Sequence, residues 1–119
     1  MSRNDFGQYI IELRTRSNYS QTELAERIGV APNYISHLES GTKVNPSITI
    51  MALLFRELNM SKSEIEKFLD LHAKANNCVS YDIADFIMEN DNVRQAIRIE
   101  RDKPNASPNW NDFIKKINK

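Results

Sequence analysis

The sequence predicts an all-α protein, a five-helix bundle followed by a helical extension at the C-terminal end. Apolar residues recur at intervals of three and four along nearly the whole chain, which is the spacing of amphipathic helices. Ser20 with Glu23, and Ser61 with Glu64, have the spacing of capping boxes that start helices. The chain has only 3 glycines, and no alternating strand pattern competes with the helical one.

Length and composition limit the class of protein. At 119 residues the chain can enclose one substantial core but not two independent ones. Its 16 basic and 16 acidic residues cancel, so any DNA contact has to come from a local patch rather than a global basic field. The single cysteine, Cys78, has no disulfide partner in the chain, which fits a reducing compartment. The N-terminus lacks an apolar signal core, and the longest uncharged stretch, Val44 to Phe55, is too short to span a bilayer. We therefore expect a cytoplasmic protein with no membrane partner.

Helix one is expected from Asp5 to Thr15, capped by Asn4 or Asp5. Its inward face is formed by apolar residues one turn apart, namely Phe6, Tyr9, Ile10 and Leu13. The capping box of Ser20 and Glu23 then marks the start of helix two.

Helices two and three are short and separated by a glycine. Gly29 ends helix two, because glycine accepts the left-handed conformation that is common at helix C-termini. Pro32 suits the first turn of helix three, where its missing N–H is not needed, and Gly41 closes that helix. The inward residues are Leu24, Ala25, Ile28, Ile35 and Leu38. Two helices joined by a turn of about 3–4 residues with a glycine have the spacing of a helix-turn-helix, whose second helix enters a DNA major groove.

Helices four and five complete the first domain. Ser47 is expected to cap helix four, which is apolar over so much of its circumference that it should lie near the middle of the core. Its apolar residues are Ile50, Met51, Leu53, Leu54 and Leu58. Ser61 and Glu64 open helix five, whose inward face is Ile65, Phe68, Leu69 and His72. The pattern fades around Asn76, so we expect a first domain over 1–76 and a helical extension over 77–119.

The extension is expected to contain three short helices. Ser80 would cap the first, with Ile83, Phe86 and Ile87 inward, and Asn90-Asp91 would start the second, with Val93, Ala96 and Ile97 inward. Ser107-Pro108 would start the third, which carries an apolar stripe of Trp110, Phe113, Ile114 and Ile117. Because so small a segment is not stable alone, it should pack on the first domain or on another chain. We expect the stripe to be a dimer or partner interface.

The residues of the second and third helices resemble the helix-turn-helix of the lambda Cro and CI repressors and of the related Xre-type regulators. The matching positions are Gln21, Leu24, Ala25, Ile28, Gly29, Val30, Ile35, Leu38 and Glu39-Ser40-Gly41. The resemblance covers roughly residues 5–70 and implies a five-helix, lambda-repressor-like DNA-binding domain. It does not extend to the C-terminal segment.

The resemblance also implies which residues contact DNA. The outward residues of helix three are Pro32, Asn33, Tyr34, Ser36, His37 and Ser40. Among them, Asn33, Tyr34 and His37 match positions that meet base edges, and an asparagine can donate to and accept from adenine. Gln21 matches a glutamine that meets a phosphate, and its structural alternative is a residue that only starts the helix. Lys43 and Asn45 match positions that touch the DNA backbone, although loop residues are polar in any case.

Two further positions carry structural implications of the resemblance. Arg14 and Glu39 match an ion pair between helices one and three, so we expect both to be structural. Ala31 stands where relatives commonly have Ser or Thr, so the cap hydrogen bond of helix three should be missing. The start of the helix should then be looser, unless Pro32 compensates by fixing φ.

No residue pattern points to catalysis. His37, His72 and Cys78 do not have metal-ligand spacing and there is no glycine-rich phosphate loop, so we expect no enzyme activity, no metal and no cofactor. Asp82 and Asp85, near a helix start, are better explained by the helix dipole than by catalysis.

Two features of the second half have both a functional and a structural interpretation. His72 is expected to be a core or interface histidine with its hydrogen bonds satisfied. Arg94, Arg98 and Arg101 form a basic stripe that suits DNA or an acidic partner, although the neighbouring Glu100 favours a solvated face.

The leading hypothesis is a DNA-binding transcriptional regulator, a repressor that binds double-stranded DNA as a homodimer. A rival hypothesis is the antitoxin of a toxin–antitoxin pair, whose C-terminal helices mask a toxin. A third is a repressor whose extension receives a peptide or an antirepressor protein. A purely structural helical protein ranks last.

Overall fold

The computed structural model describes residues 4–103 and 110–118, and every regular element among them is an α-helix. The helices are α1 Asn4–Arg16, α2 Gln21–Ile28, α3 Pro32–Ser40, α4 Ile48–Glu57, α5 Lys62–Ala75, α6 Tyr81–Glu89, α7 Asp91–Asp102 and α8 Trp110–Ile117. The predicted all-α fold with a C-terminal helical extension is therefore confirmed. Within the described ranges, none of the helices is long and apolar enough to cross a membrane. The expected start of the last helix at Ser107-Pro108 lies outside the described residues.

Local signals in the sequence set the helix ends. The hydroxyl of Ser20 accepts from the Glu23 N–H, and the Glu23 carboxylate accepts from the Ser20 N–H. Ser61 and Glu64 repeat the arrangement at α5. Gly29 follows α2 with φ 77°, a left-handed conformation that disfavours residues with a Cβ atom.

The chain divides into two compact units, Met1–Ile83 and Ala84–Lys119. The first unit continues beyond Asn76, where the helical pattern of the sequence fades, because the ring of Tyr81 packs edge-on against His72 with centroids 4.9 Å apart. The assignment of a DNA-binding function to one part and of dimerisation or partner binding to the other stays a prediction.

The core of the first unit is built mainly from α1, α2, α3 and α5. Helix α1 packs on α3 and α5, while α2 packs on α3 and α4. Edge-to-face ring pairs hold its centre, with Phe68 packed against Phe6 at 4.9 Å and against Phe55 at 5.1 Å. The fully buried residues at the centre include Ile10, Leu24, Ile35, Leu38 and Leu54.

Helix α4 is less central than its composition predicts. Met51 and Leu54 are buried, but Ile50 and Leu53 are only partly so, and Ile48 is 70% exposed. The helix packs through one face, and the rest of its apolar circumference stays at the surface. The expectation of a central helix four was wrong because apolar composition alone does not say how many neighbours surround a helix.

His72 is buried, as predicted, but its hydrogen bonding differs from the prediction. Neither ring nitrogen has a hydrogen-bond partner in the described part of the chain. The ring lies between aromatic neighbours, with Phe6 at 5.7 Å and Tyr81 at 4.9 Å. Burial lowers the pKa of His72, because an unpartnered imidazolium would lose its hydration. The expectation of a satisfied histidine was therefore wrong.

In the second unit, and in α6 as a whole, the residues expected to point inward are not buried. Ile83 and Phe86 of α6 are 47% and 60% exposed, and Ile97 of α7 is 49% exposed. None of the described residues in α6, α7 and α8 is fully buried. Three short helices have too little volume to enclose a core, so their apolar faces remain open.

Arg94 forms hydrogen bonds at the junction between α6 and α7. Its guanidinium donates to the carbonyls of Ile87 and Met88 at the end of α6, and it pairs with Asp91. Arg101 pairs with its neighbour Asp102 at 2.9 Å. Two of the three arginines of the predicted basic stripe are thus engaged locally, which favours the structural interpretation.

Candidate nucleic-acid interface

Helix α3 is held in place by a carboxylate at its C-terminal end. Glu39, only 4% exposed, accepts from Nε and Nη2 of Arg14 at 2.6 and 3.0 Å, and from Nε2 of Gln21 at 2.8 Å. Arg14 also donates to the carbonyl of Tyr19 at 2.9 Å. Its hydrogen bond to Glu39 raises the pKa of Arg14, so the guanidinium stays protonated. One buried carboxylate therefore joins α1, α2 and α3.

Gln21 has a contact that the sequence did not reveal. The ion pair of Arg14 and Glu39 expected from the resemblance is present, and Gln21 adds a third donor to it. This bond fixes the amide of Gln21 at the N-terminal end of α2. Its contact with a DNA phosphate stays a prediction.

Gly7 permits the close approach of α1 to α3. A Cβ atom built at Gly7 would lie 2.3 Å from the carbonyl oxygen of Glu39 and 2.7 Å from that of Leu38. No side chain fits in that space, so the two backbones touch directly. The sequence analysis missed this residue, although a glycine on the apolar side of an amphipathic helix is a signal for close backbone approach.

The outer face of α3 is polar and uncharged. Pro32, Asn33, His37 and Ser40 are exposed, and Ser36 is half-buried. Glu39 supplies the helix's one carboxylate, and it is turned inward and neutralised by Arg14. No negative charge on this helix therefore faces a phosphate backbone. The face offers hydrogen-bond donors and acceptors of the kind that read base edges.

Tyr34 is not wholly an outward residue. It is half-buried and packs against the hydrophobic core, and burial raises the pKa of its phenol. The ammonium of Lys43 lies 5.6 Å from its ring centroid, within the range of a cation–π contact. The expectation that Tyr34 is not needed for the core was wrong, because its ring packs against the edge of the core beside Lys43 of the following loop.

The two ends of α3 differ in how they are capped. Ala31 makes no side-chain cap hydrogen bond, as predicted, and Pro32 occupies the first turn. At the other end, the Ser40 hydroxyl donates to the His37 carbonyl at 3.2 Å and lies 2.9 Å from the hydroxyl of Thr42. Ser40 thus shapes the turn after α3 as well as lying on its outer face.

The loop after α3 alternates between buried and more exposed residues. Val44 and Pro46 are buried, whereas Asn45 is exposed and Lys43 is half-buried. The N–H of Lys43 donates to the carbonyl of His37 at 3.0 Å, which continues the hydrogen bonding of α3 into the loop. A shallow groove of about 610 Å³ runs from His37 and this loop to the end of α5. The loop therefore presents one ammonium and one amide beside the outer face of α3.

Comparison with known proteins identifies the domain. A helix-turn-helix family model matches residues 10–65, from within α1 to the first turn of α5. The HTH-type transcriptional regulators SinR of Bacillus subtilis (strain 168) and of Bacillus licheniformis are each 40% identical to this chain over 55 residues. The matched segment is 46% of this chain and 50% of each relative, so the chain matches only half the length of these relatives. No solved structure matches the chain. Residues 10–65 therefore match a helix-turn-helix family and are similar to part of these HTH-type transcriptional regulators, in agreement with the predicted resemblance to the Xre, or Cro/CI-like, regulators.

Proposed function

We propose that this chain is a sequence-specific transcriptional repressor that binds a (pseudo)palindromic operator through α3. The observation that carries the proposal is the outer face of α3, where Asn33 and His37 are exposed while Glu39 locks the helix from behind. A rigid helix with an exposed, uncharged polar face suits the reading of base edges in a major groove. The similarity to regulators named SinR supports the same class of function.

The proposed contacts are those that the resemblance implies, and all of these side chains are exposed or half-buried. Asn33, Tyr34 and His37 read bases, with Pro32, Ser36 and Ser40 beside them. Gln21, Lys43 and Asn45 hold the DNA backbone and fix the register of α3 in the groove. Because the chain carries no net charge, the salt-dependent part of the affinity has to come from local cations such as Lys43.

We further propose that the protein acts as a homodimer. A single helix-turn-helix module contacts little DNA, and two modules with half-sites about 34–36 Å apart would double the interface. The open apolar face of the second unit offers a dimer surface, with Trp110, Phe113, Ile114 and Ile117 each about half exposed or more. Sedimentation of the protein, free and on its operator, tests this proposal, and a monomer in both states would refute it.

The experiment for DNA binding is selection from a random duplex library. The full chain should enrich one inverted-repeat sequence, and Asn33→Ala should weaken binding to it by about 5- to 150-fold, from the ~1–3 kcal/mol of one bidentate base contact. Asn92→Ala, the same change at an exposed position of α7, is the matched control and should leave the affinity unchanged. Absence of any enriched sequence would refute the proposal and favour a purely structural helical protein.

A second candidate function is the antitoxin of a toxin–antitoxin pair. The observation that favours it is an apolar groove of about 680 Å³ within the second unit, lined among others by Phe86, Val93, Ile97, Trp110 and Phe113. Such a groove suits an apolar helix of a partner protein, including a peptide or antirepressor. Coexpression with the product of the neighbouring gene separates the candidates: a stable complex that relieves that product's toxicity indicates an antitoxin, and its absence favours the repressor.

A further inference from the structure

The loop that follows α3 is held from outside the helix-turn-helix by one side chain. Asn76 stands at the C-terminal end of α5, and its amide nitrogen donates to the carbonyl of Val44 at 2.6 Å and to that of His72 at 2.8 Å. The residues Asn76 and Val44 are 32 positions apart in the chain. This amide therefore ties the loop to the end of α5.

The position of this loop determines where Lys43 lies. Lys43 immediately precedes Val44, its N–H donates to the carbonyl of His37, and its ammonium lies over the ring of Tyr34. The peptide bond between Lys43 and Val44 thus lies between two hydrogen bonds, one to the His37 carbonyl of α3 and one from the Asn76 amide. If the anchor at Asn76 is lost, the remaining contacts of the loop are mainly with α3, and its side towards α5 loses this hydrogen bond.

We propose that Asn76 is a positioning residue for DNA binding, which acts by holding Lys43 and Asn45 against the phosphate backbone. The inference rests on the proposed function and adds a residue that lies outside the matched segment 10–65. Asn76 touches no DNA base in this proposal. It acts through the loop, and its loss reduces the phosphate contacts without changing which sequence is read.

The test compares Asn76→Leu with the wild type on a random-sequence duplex over a range of salt concentrations. Leucine has a similar size, removes both donor hydrogens and adds no charge beside the DNA. One lost phosphate contact reduces the slope of log affinity against log salt by about 0.9, which weakens binding by about 8-fold at 0.1 M salt. We expect that reduction for Asn76→Leu, with the selected operator sequence unchanged.

Two further variants separate positioning from general loss of stability. Ser61→Ala removes a cap at the opposite end of α5, so it should lower the melting temperature while leaving the salt slope intact. Lys43→Ala removes the phosphate contact directly and should lower the slope by the same amount. If Asn76 positions Lys43, the double variant should have the same salt slope as Lys43→Ala alone. Additive losses, or an unchanged slope in Asn76→Leu, would overturn the inference.

A measurement without DNA distinguishes failure of this inference from failure of the proposed function. Amide hydrogen exchange at Lys43 should be faster in Asn76→Leu than in the wild type, and unchanged in Ser61→Ala. Equal exchange at Lys43 in wild type and Asn76→Leu would show that Asn76 does not hold the loop, even if the protein binds DNA. Failure of the wild type to bind any duplex would instead overturn the proposed function, and this inference with it.

Discussion

Replacing Gly7 by alanine should destabilise the helix-turn-helix, although alanine is the better helix former. The added Cβ atom would meet the Glu39 carbonyl oxygen at 2.3 Å and the Leu38 carbonyl oxygen at 2.7 Å, whereas ordinary contact begins near 3.4 Å. All of these atoms belong to backbone, so no side chain can turn away. Helices α1 and α3 would have to separate by about 1 Å, which loosens the packing between them.

The size of the effect follows from two opposing terms. Overpacking of this kind lowers the free energy of unfolding by about 3 kcal/mol at the upper end of its range. A glycine-to-alanine change inside a helix raises it by about 1 kcal/mol. The net loss is about 2 kcal/mol. For a unit of this length each kcal/mol lowers the melting temperature by about 4–8 °C, so we expect a drop of about 8–16 °C.

The assay is urea and thermal unfolding followed by circular dichroism at 222 nm. Gln8→Ala, at the adjacent exposed position of α1, is the control and should change stability by less than about 0.5 kcal/mol. Specific DNA affinity of Gly7→Ala should fall even where the protein is fully folded, because α3 is displaced. A melting temperature equal to or above that of the wild type would refute the argument that the two backbones are in contact.

Three other substitutions test separate parts of the fold. Glu39→Ala should cost about 3 kcal/mol in urea unfolding, because Arg14 would keep a charge that is only 17% exposed without its carboxylate, and an unchanged melting temperature would contradict this. Burial lowers the pKa of His72 below its ordinary value of 6.5, so its contribution to stability is complete above pH 6.5 and is lost as the pH falls below that value. The variant His72→Leu should therefore unfold with a weaker dependence on pH below 6.5, and an identical pH profile would argue against a buried neutral imidazole. Gly29→Ala should lower the free energy of unfolding by about 1–2 kcal/mol, because φ at this position is 77°. Nothing lies within 4 Å of an added Cβ, so backbone strain is the whole cause. An unchanged free energy of unfolding would exclude the left-handed turn.

The sequence determined those features that depend on neighbours a few residues away. The two capping boxes, the glycine after α2 and the proline at the start of α3 all act within one turn of backbone. Helices α2, α3 and α5 begin, and α2 ends, where these signals lie. The burial of Phe6, Leu24 and Ile35 followed from periodicity in the same way. The family of the domain could also be named from these local patterns.

Tertiary structure decided the contacts that join distant segments. Arg14 and Glu39 are 25 positions apart, and only the resemblance suggested their pairing, while the third donor, Gln21, appeared only once α1, α2 and α3 were placed together. The half-buried position of Tyr34 likewise depends on the loop that passes beside it. In α6 to α8 periodicity named apolar faces correctly but could not say whether anything covers them, since burial requires a neighbour that the helix's own sequence does not specify.

Local hydrogen bonds join residues within one helical turn, so they can be predicted from a few adjacent residues in the sequence. A contact such as that of Asn76 with Val44, or the space at Gly7, depends on the path of all the chain between them, and only the folded molecule fixes it. For this protein the sequence therefore determined the short helix that we propose enters DNA, whereas the tertiary structure decided how that helix and its loop are held.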